Sequence, residues 1–296
     1  MLVDAAGLYF RAFHGIPTSV TAPDGRPVNA IRGFLDMVST LITRRHPDRF
    51  VACLDNSWRP QFRVALLPSY KAHRVATGND ELVPDELTPQ IPVLFEVLDA
   101  LGLARLGADG FEADDVIATL AARDTDRVDV VSGDRDLFAT VSERVHVLYV
   151  GRGVARLQDL GPRDIVEKYG IPGERYADFA ALRGDPSDGL PGVAGIGERT
   201  AALLVNAFGS VEEIVAAADA DSGGFPAGAR AKILAARSYL EAAPGVVRVR
   251  TDVPLGKVDD ALPRQVRDAA ALLALSDEHG LESPVNRLLG ALKITF

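Results

Sequence analysis

The sequence predicts an α/β fold: a largely parallel sheet covered by helices on both faces, followed by a helical subdomain. Three observations carry this expectation. Short apolar runs alternate with helix-like segments through the first half of the 296-residue chain, as in βαβ units. The strand signal stops near Pro162, and the helix-like stretches beyond it are separated by Gly and Pro. Several apolar runs end in an aspartate, and open α/β sheets bind ligands beyond the carboxyl ends of their strands.

In chain order, Met1 to Val3 reads as the end of a buried strand, short enough that a start a few residues upstream is expected. Ala30 to Arg44 carries apolar residues at helical spacing. Phe50 to Leu54 is a short apolar run ending in Asp55, and Ile91 to Leu101 is again helical. The segment 76–90, polar with two prolines, predicts a mobile loop. Val128 to Val131 is β-branched and leads into the turn Ser132-Gly133-Asp134. Val145 to Tyr149 and Val154 to Leu157, on either side of Gly151-Arg152-Gly153, read as a hairpin. Beyond it, Ile165 to Tyr169, Tyr176 to Arg183, Glu198 to Phe208, Val211 to Ala218 and Arg230 to Glu241 are helix-like, which places a helical subdomain at about 162–245.

Composition excludes little on the soluble side: 47% of residues are hydrophobic and 25% charged, ordinary for a globular chain. No run of eighteen apolar residues exists to span a membrane. The N-terminus has an acid at position 4 and no basic region, unlike a signal peptide. Cys53, the only cysteine, rules out an internal disulfide and fits a cytosolic protein; it reads as a small core residue. The net charge of −9 argues against nucleic acid only until it is mapped. Asn56 to Asn79 contains no acid but holds Arg59, Arg63, Lys71, His73 and Arg74.

The acids fall into ordered motifs. Asp4, Asp55 and Asp134 each follow a strand-like run. Glu112, Asp114 and Asp115 open the helix Val116 to Arg123; Asp136 follows Asp134, and Asp185 and Asp188 share a Gly-Asp-Pro-Ser-Asp-Gly turn. Singly, each has a plain reading: acids complement a helix N-terminus, and aspartates favour turns. Together they predict one anionic pocket needing cations. Oxygen ligands suit Mg²⁺ or Mn²⁺, two of which, about 3.5–4 Å apart, clamp a phosphate and activate water. Gly192 to Gly197 leads into the helix Glu198 to Phe208, a place where backbone N–H groups meet an anion or where two helices merely turn. Ser69 to Arg74, if helical, sets Lys71 and Arg74 on one face beside Tyr70, an aromatic able to stack on an unpaired base. Arg11, a turn or two after Asp4, is a further phosphate contact. Trp58 reads as packing under the neighbouring loop.

The succession Asp4…Asp55…Phe111-Glu112-Ala113-Asp114-Asp115…Ser132-Gly133-Asp134-Arg135-Asp136…Gly184 to Ala201 resembles the bacterial 5′ nuclease family: flap endonucleases and the 5′–3′ exonuclease domain of DNA polymerase I. The likeness spans roughly 1–290 and is greatest to a stand-alone actinobacterial-type member, since the chain ends at Phe296 with no length for a polymerase. It implies a three-layer, PIN-like 5′ nuclease core over 1–161 with an arch at about 58–90. Region 162–296 would bind DNA through a helix–three-turn–helix element at about 184–210, its C-terminal segment returning to the core. The implied activity is divalent-metal hydrolysis of DNA near single-strand/double-strand junctions, leaving a 5′-phosphate and a 3′-hydroxyl. By the same likeness Asp4, Asp55, Glu112, Asp114 and Asp134 hold one metal. Asp136, Asp185 and Asp188 serve another, with Asp114 or Asp134 bridging, and Asp115 acts through water. Lys71 and Arg74 contact the scissile phosphate. Gly195, Gly197 and Thr200 fit the duplex-gripping element, and Arg199 stands where lysine is frequent. Backbone carbonyls there, at Val193 and Ile196, hold K⁺. One departure is Ala5, where the family has glycine after its first aspartate.

The implied partners are DNA with a 5′ flap, nick, gap or 5′ overhang, and a DNA polymerase or ligase. A cytoplasmic, nucleoid-associated monomer acting in replication and repair follows. Two other readings are a junction-binding protein of this fold that cleaves nothing, and an RNA-cutting enzyme on a similar sheet. The first would lack metal acids, none of which is missing here; the second would lack the glycine turn and the helical region after residue 160.

Overall fold

The computed structural model describes residues 1–78 and 80–295; Asn79, in the loop expected at 76–90, and Phe296 lie outside the described residues. The chain opens with β1 (Leu2–Asp4), α1 (Ala5–Gly15), α2 (Asn29–Arg45), β2 (Val51–Leu54) and α3 (Gln61–Leu66). An antiparallel pair, β3 (Val75–Thr77) and β4 (Asp80–Glu81), precedes α4 (Gln90–Leu101), β5 (Ala104–Gly107), α5 (Ala113–Arg123), β6 (Val128–Ser132), β7 (Val145–Tyr149) and β8 (Gln158–Leu160). The later regular elements are helices: α6 (Pro162–Tyr169), α7 (Tyr176–Arg183), α8 (Glu198–Phe208), α9 (Val211–Asp219), α10 (Ala229–Ala235), α11 (Arg237–Val247), α12 (Ala269–His279) and α13 (Glu282–Leu292). Among the described residues no single helix is long and apolar enough to cross a membrane.

The main sheet has the order β5-β2-β1-β6-β7-β8, parallel throughout except for β8 against β7. The chain runs outward from β1 through β2 to β5, then crosses to β6 on the other side of β1. Where the strand order reverses, neighbouring crossovers diverge and leave a crevice at the carboxyl ends. Asp4, Asp55 and Asp134 stand at those ends. Successive strand side chains point to opposite faces. Leu2, Val51, Cys53, Val128, Val130 and Val147 join one core with α5 and α7, whereas Val3, Ala52, Val131 and Leu148 join another with α2, α4 and α13. Helix α2 buries Phe34, Leu35, Val38 and Leu41 on one stripe, each contributing about 1.5–3 kcal/mol. The result is the expected three-layer α/β architecture.

Local departures have local causes. The hairpin partner of β7 is Gln158–Leu160, not Val154 to Leu157; Val154–Arg156 is a turn of 3-10 helix, with Val154 buried as an anchor in the sheet's core. The predicted helix Arg230 to Glu241 is two helices. The N–H of Ala236 is shared between the carbonyls of Lys232 and Ile233, which tightens the turn there and redirects the chain. Ser69 to Arg74 is not an α-helix: Lys71 takes a left-handed φ of 48° and only Ala72–Arg74 turns, as 3-10 helix.

Candidate active site

Asp4 ends β1 and caps α1, accepting from the Gly7 N–H at 2.8 Å and from the Ser132 hydroxyl at 2.8 Å. A Cβ at position 7 would lie 2.2 Å from the Asp4 carboxylate, so any larger residue there would push the carboxylate off its cap. Asp55 accepts from the Ala113 N–H at 2.6 Å. That bond places it against the start of α5, which Glu112 caps. Asp55, Glu112, Asp114, Asp4 and Asp134 line one cavity of about 530 Å³, together with Lys71, Arg74, His73, Phe10, Glu81 and Leu82. Side chains from three strand ends, one helix start and the segment after α3 therefore meet.

Electrostatics extends this cluster to the remaining acids. Burial, then Asp134, Asp188 and Asp185, pushes the Asp136 carboxyl well above its ordinary range. Burial, then Asp134 and Asp4, does the same to Asp114. Burial raises Asp4 against the pull of its Gly7 and Ser132 bonds. Burial is also the main cause at Asp55, pushed up to about 7, and at Asp188, pushed up to about 6. Groups as far apart in sequence as 4 and 188 thus share one anionic region.

Cations sit among these acids. The Lys71 ammonium pairs with Glu112, whose carboxylate also accepts from the Tyr70 hydroxyl at 2.8 Å and from Arg63. Burial works against the charge on Lys71, but Glu112 and then Tyr70, Asp188 and Asp55 outweigh it and hold the ammonium charged. Arg74 donates to the Ser187 carbonyl at 2.7 Å and to Asp188 at 3.2 Å. Asp185 caps the turn Pro186–Asp188 and lies 3.4 Å from Arg183 and 3.6 Å from Arg135. Among the described residues no three carboxylate, imidazole or thiol side chains already stand close enough to hold a metal ion. Like charges separate and take nearby donors instead.

Two side chains are engaged otherwise than expected. Tyr70 is 4% exposed and bonded to Glu112, so it is not free to stack on a base. Asp115 is wholly buried; the Arg63 guanidinium grips both its oxygens at 2.7 and 2.8 Å, and the Arg250 N–H adds a third bond. It does not face the cavity. Arg11, expected as a phosphate contact, lines the neighbouring cleft along α1 with Phe10, His14 and Arg152, beside Gly133. The residues that sequence reasoning missed are Ser132, Glu81, Leu82, Phe10 and Arg63 in its structural role. Arg63 was visible only as one cation in an acid-free stretch.

The glycine turn meets α8 as expected. Gly195 has a φ of 75°, Gly197 caps α8 with open space around it, and Arg199 is exposed with Thr200 beside it. Val193 and Ile196 are buried, and the Val193 carbonyl accepts the Ile196 N–H at 2.9 Å. The Lys232 ammonium donates to the Gly195 carbonyl at 2.9 Å. A larger cavity, about 780 Å³, opens at the opposite end of the sheet around Met1. Its arginines are already engaged, Arg45 with Asp129 and Asp159, and Arg49 with Asp124, Asp126 and Asp260.

Comparison with known proteins agrees with this geometry. The family model described as the 5′-3′ exonuclease N-terminal resolvase-like domain matches residues 1–170, and that of the 5′-3′ exonuclease C-terminal SAM fold matches residues 171–270. A 5′-3′ exonuclease of Mycobacterium tuberculosis is 51% identical, over 99% of this chain and 97% of its own length. One of Streptomyces coelicolor is 53% identical over 99% of each. The flap endonuclease of bacteriophage T5, solved in complex with DNA and metal ions, superposes with a TM-score of 0.66 at 18% identity, over 99% of this chain and 98% of its own, and shows the shared fold. On the two domain matches and the full-length relatives together, this chain belongs to the 5′–3′ exonuclease family.

Proposed function

We propose that this chain is a structure-specific 5′ nuclease. It hydrolyses phosphodiester bonds of DNA beside junctions of single and double strand, in substrates with a 5′ flap, nick, gap or 5′ overhang. The observation that carries the reading is the meeting of Asp4, Asp55, Glu112, Asp114 and Asp134 with Lys71 and Arg74 in one cavity. The names of the two actinobacterial relatives support it.

The donor set fits hard divalent cations: six carboxylates, Glu81 among them, no thiolate and a single imidazole, His73, line the cavity. Asp4, Asp55, Glu112, Asp114 and Asp134 would hold one Mg²⁺ or Mn²⁺, and Asp136, Asp185 and Asp188 a second, with Asp114 or Asp134 shared. When bound, such ions supply Lewis acidity and an activated water for in-line attack. Lys71 and Arg74 provide fixed positive charge where negative charge builds on the phosphate. Phe10 and Leu82 form apolar parts of the wall. Across the glycine turn, backbone N–H groups at the start of α8, with Arg199 and Thr200, hold the duplex backbone without reading sequence. The Val193 and Ile196 carbonyls of that turn would hold K⁺, beside the Gly195 carbonyl that the Lys232 ammonium already engages. The reading extends to flap and gap removal in replication and repair, beside a DNA polymerase or ligase.

The test is cleavage of a 5′-flap duplex. Mg²⁺ or Mn²⁺ supports it, EDTA stops it, and Asp134→Ala still binds the duplex but does not cut. Cutting retained in Asp134→Ala removes the reading.

A further inference from the structure

Arg63 is a cation in the interior of the protein: 2% of its surface is exposed. A guanidinium has five N–H donors and no acceptor, and all five are in use. Nη1 donates to Glu112 and, at 2.8 Å, to Asp115. Nη2 donates to the other Asp115 oxygen at 2.7 Å and to the Arg248 carbonyl at 3.4 Å. Nε donates to the Val246 carbonyl at 2.8 Å. The Phe62 ring covers the group, 4.9 Å from its carbon to the ring centre. A charge out of water persists where every donor is matched, and here the group and its acceptors join three parts of the chain.

Those parts are helix α3, the acid-bearing start of α5, and the end of α11. Val246 and Arg248 are the last carbonyls before the chain straightens toward α5, where the Arg250 N–H donates to Asp115 at 2.8 Å and Thr119 to the Arg250 carbonyl at 3.2 Å. The Arg248 side chain reaches the other way, to Asp178 and Glu212 at 2.7 Å. Asp178 in turn accepts the first N–H of α9. A continuous set of hydrogen bonds therefore runs from α9, in the helical region, to the carboxylate of Glu112 in the acid cavity. Glu112 is held on both sides, one oxygen by Lys71 and the other by Arg63.

We propose that Arg63 is a positioning residue: its planar fork locks Glu112 and Asp115 to the end of α11, so that the helical region sets where Glu112 points and with it the affinity of the site for divalent metal. This rests on the reading of Glu112 as a metal ligand. Arg63 touches neither substrate nor metal in this scheme. Lysine at 63 would keep the charge but lose the two-pronged geometry.

The experiment compares the full chain with Arg63→Lys, Arg63→Gln and Glu112→Gln. Mn²⁺ binding is titrated by calorimetry without DNA, and cleavage of a 5′-flap duplex is followed as a function of Mn²⁺. Arg63→Lys is expected to weaken Mn²⁺ binding roughly 10–100-fold, to lower cleavage at limiting metal, and to recover much of its rate at saturating Mn²⁺ with flap-duplex Kd unchanged. If Arg63→Lys does not accumulate folded, Arg63→Gln carries the same readouts. Weakened binding in Glu112→Gln together with wild-type Mn²⁺ binding in the folded Arg63 variant overturns the positioning role and leaves the ligand reading standing. Wild-type Mn²⁺ binding in Glu112→Gln overturns the ligand reading itself, and the proposal with it.

Discussion

The backbone N–H of Lys71 donates to the carbonyl of Asp188 at 2.9 Å, tying the segment between α3 and β3 to the turn that carries two of the candidate metal acids. The approach is tight. A Cβ on Gly189 would lie 2.3 Å from the Ser69 carbonyl, and Lys71 itself adopts a left-handed φ of 48°. Backbone strain of this kind persists only where surrounding contacts over-determine it. Here it aims the Lys71 side chain inward at Glu112.

Lys71→Ala is therefore expected to lower the single-turnover cleavage rate by about 10²–10³, the loss seen when one charge-stabilising donor is removed from a reaction centre. Flap-duplex binding measured in EDTA should change little. A wild-type rate in this variant would take the lysine out of the chemistry.

Tyr70→Phe separates two roles of the ring. A stacking residue would tolerate the change, since phenylalanine stacks as well. In this structure the hydroxyl donates to Glu112 from a buried position, so its loss leaves that carboxylate short of a donor. Metal half-saturation is expected to rise about tenfold or more, read from cleavage rate against Mg²⁺. Unchanged metal dependence would take the Tyr70 hydroxyl out of the metal site.

The acid cluster makes metal and pH effects interdependent. Asp55 and Asp188 titrate at about 7 and about 6, and Asp114 and Asp136 are also raised, against roughly 3.9 for an unfolded aspartate. The folded state thus holds protons that the unfolded chain has released. These groups favour folding below the unfolded value, and that contribution is lost as pH climbs through the folded pKa values. Divalent metal binds the ionised form and offsets the loss. The rise in Tm on adding Mg²⁺ to EDTA-stripped protein should be larger at about pH 8 than at about pH 5. An equal gain at both would contradict the cluster.

At the other end of the site, Arg199 is exposed on α8 and has no part in the acid cavity. Arg199→Ala should weaken duplex binding to a similar degree for every sequence and reduce the salt slope of log K by about 1. Cleavage at saturating duplex should be unaffected. A salt slope equal to wild type would remove Arg199 from the phosphate contacts.

Much of this was legible without coordinates. Apolar runs such as Phe50 to Leu54 and Val128 to Val131, set between helical segments, determine a parallel sheet because only that arrangement buries both of their faces. Aspartates that terminate such runs must emerge at the carboxyl edge of the sheet. The helix at Glu198–Phe208, started by Gly197 and stopped by Gly209, was equally plain. These features follow from local rules of period and turn chemistry, which act within a few residues.

What those rules do not reach was decided by the tertiary structure alone. Tyr70 and Arg63 lie in a basic, solvent-like stretch, yet both are buried because Glu112 and Asp115, far away in sequence, offer partners there. Lys71 leaves the helical conformation because Asp188 takes its N–H, and β8 forms at Gln158–Leu160 while Val154 packs into the sheet's core. A side chain's local pattern sets the element it sits in. Which charge it meets depends on how the elements dock, and in a low-dielectric interior that meeting outweighs any local preference.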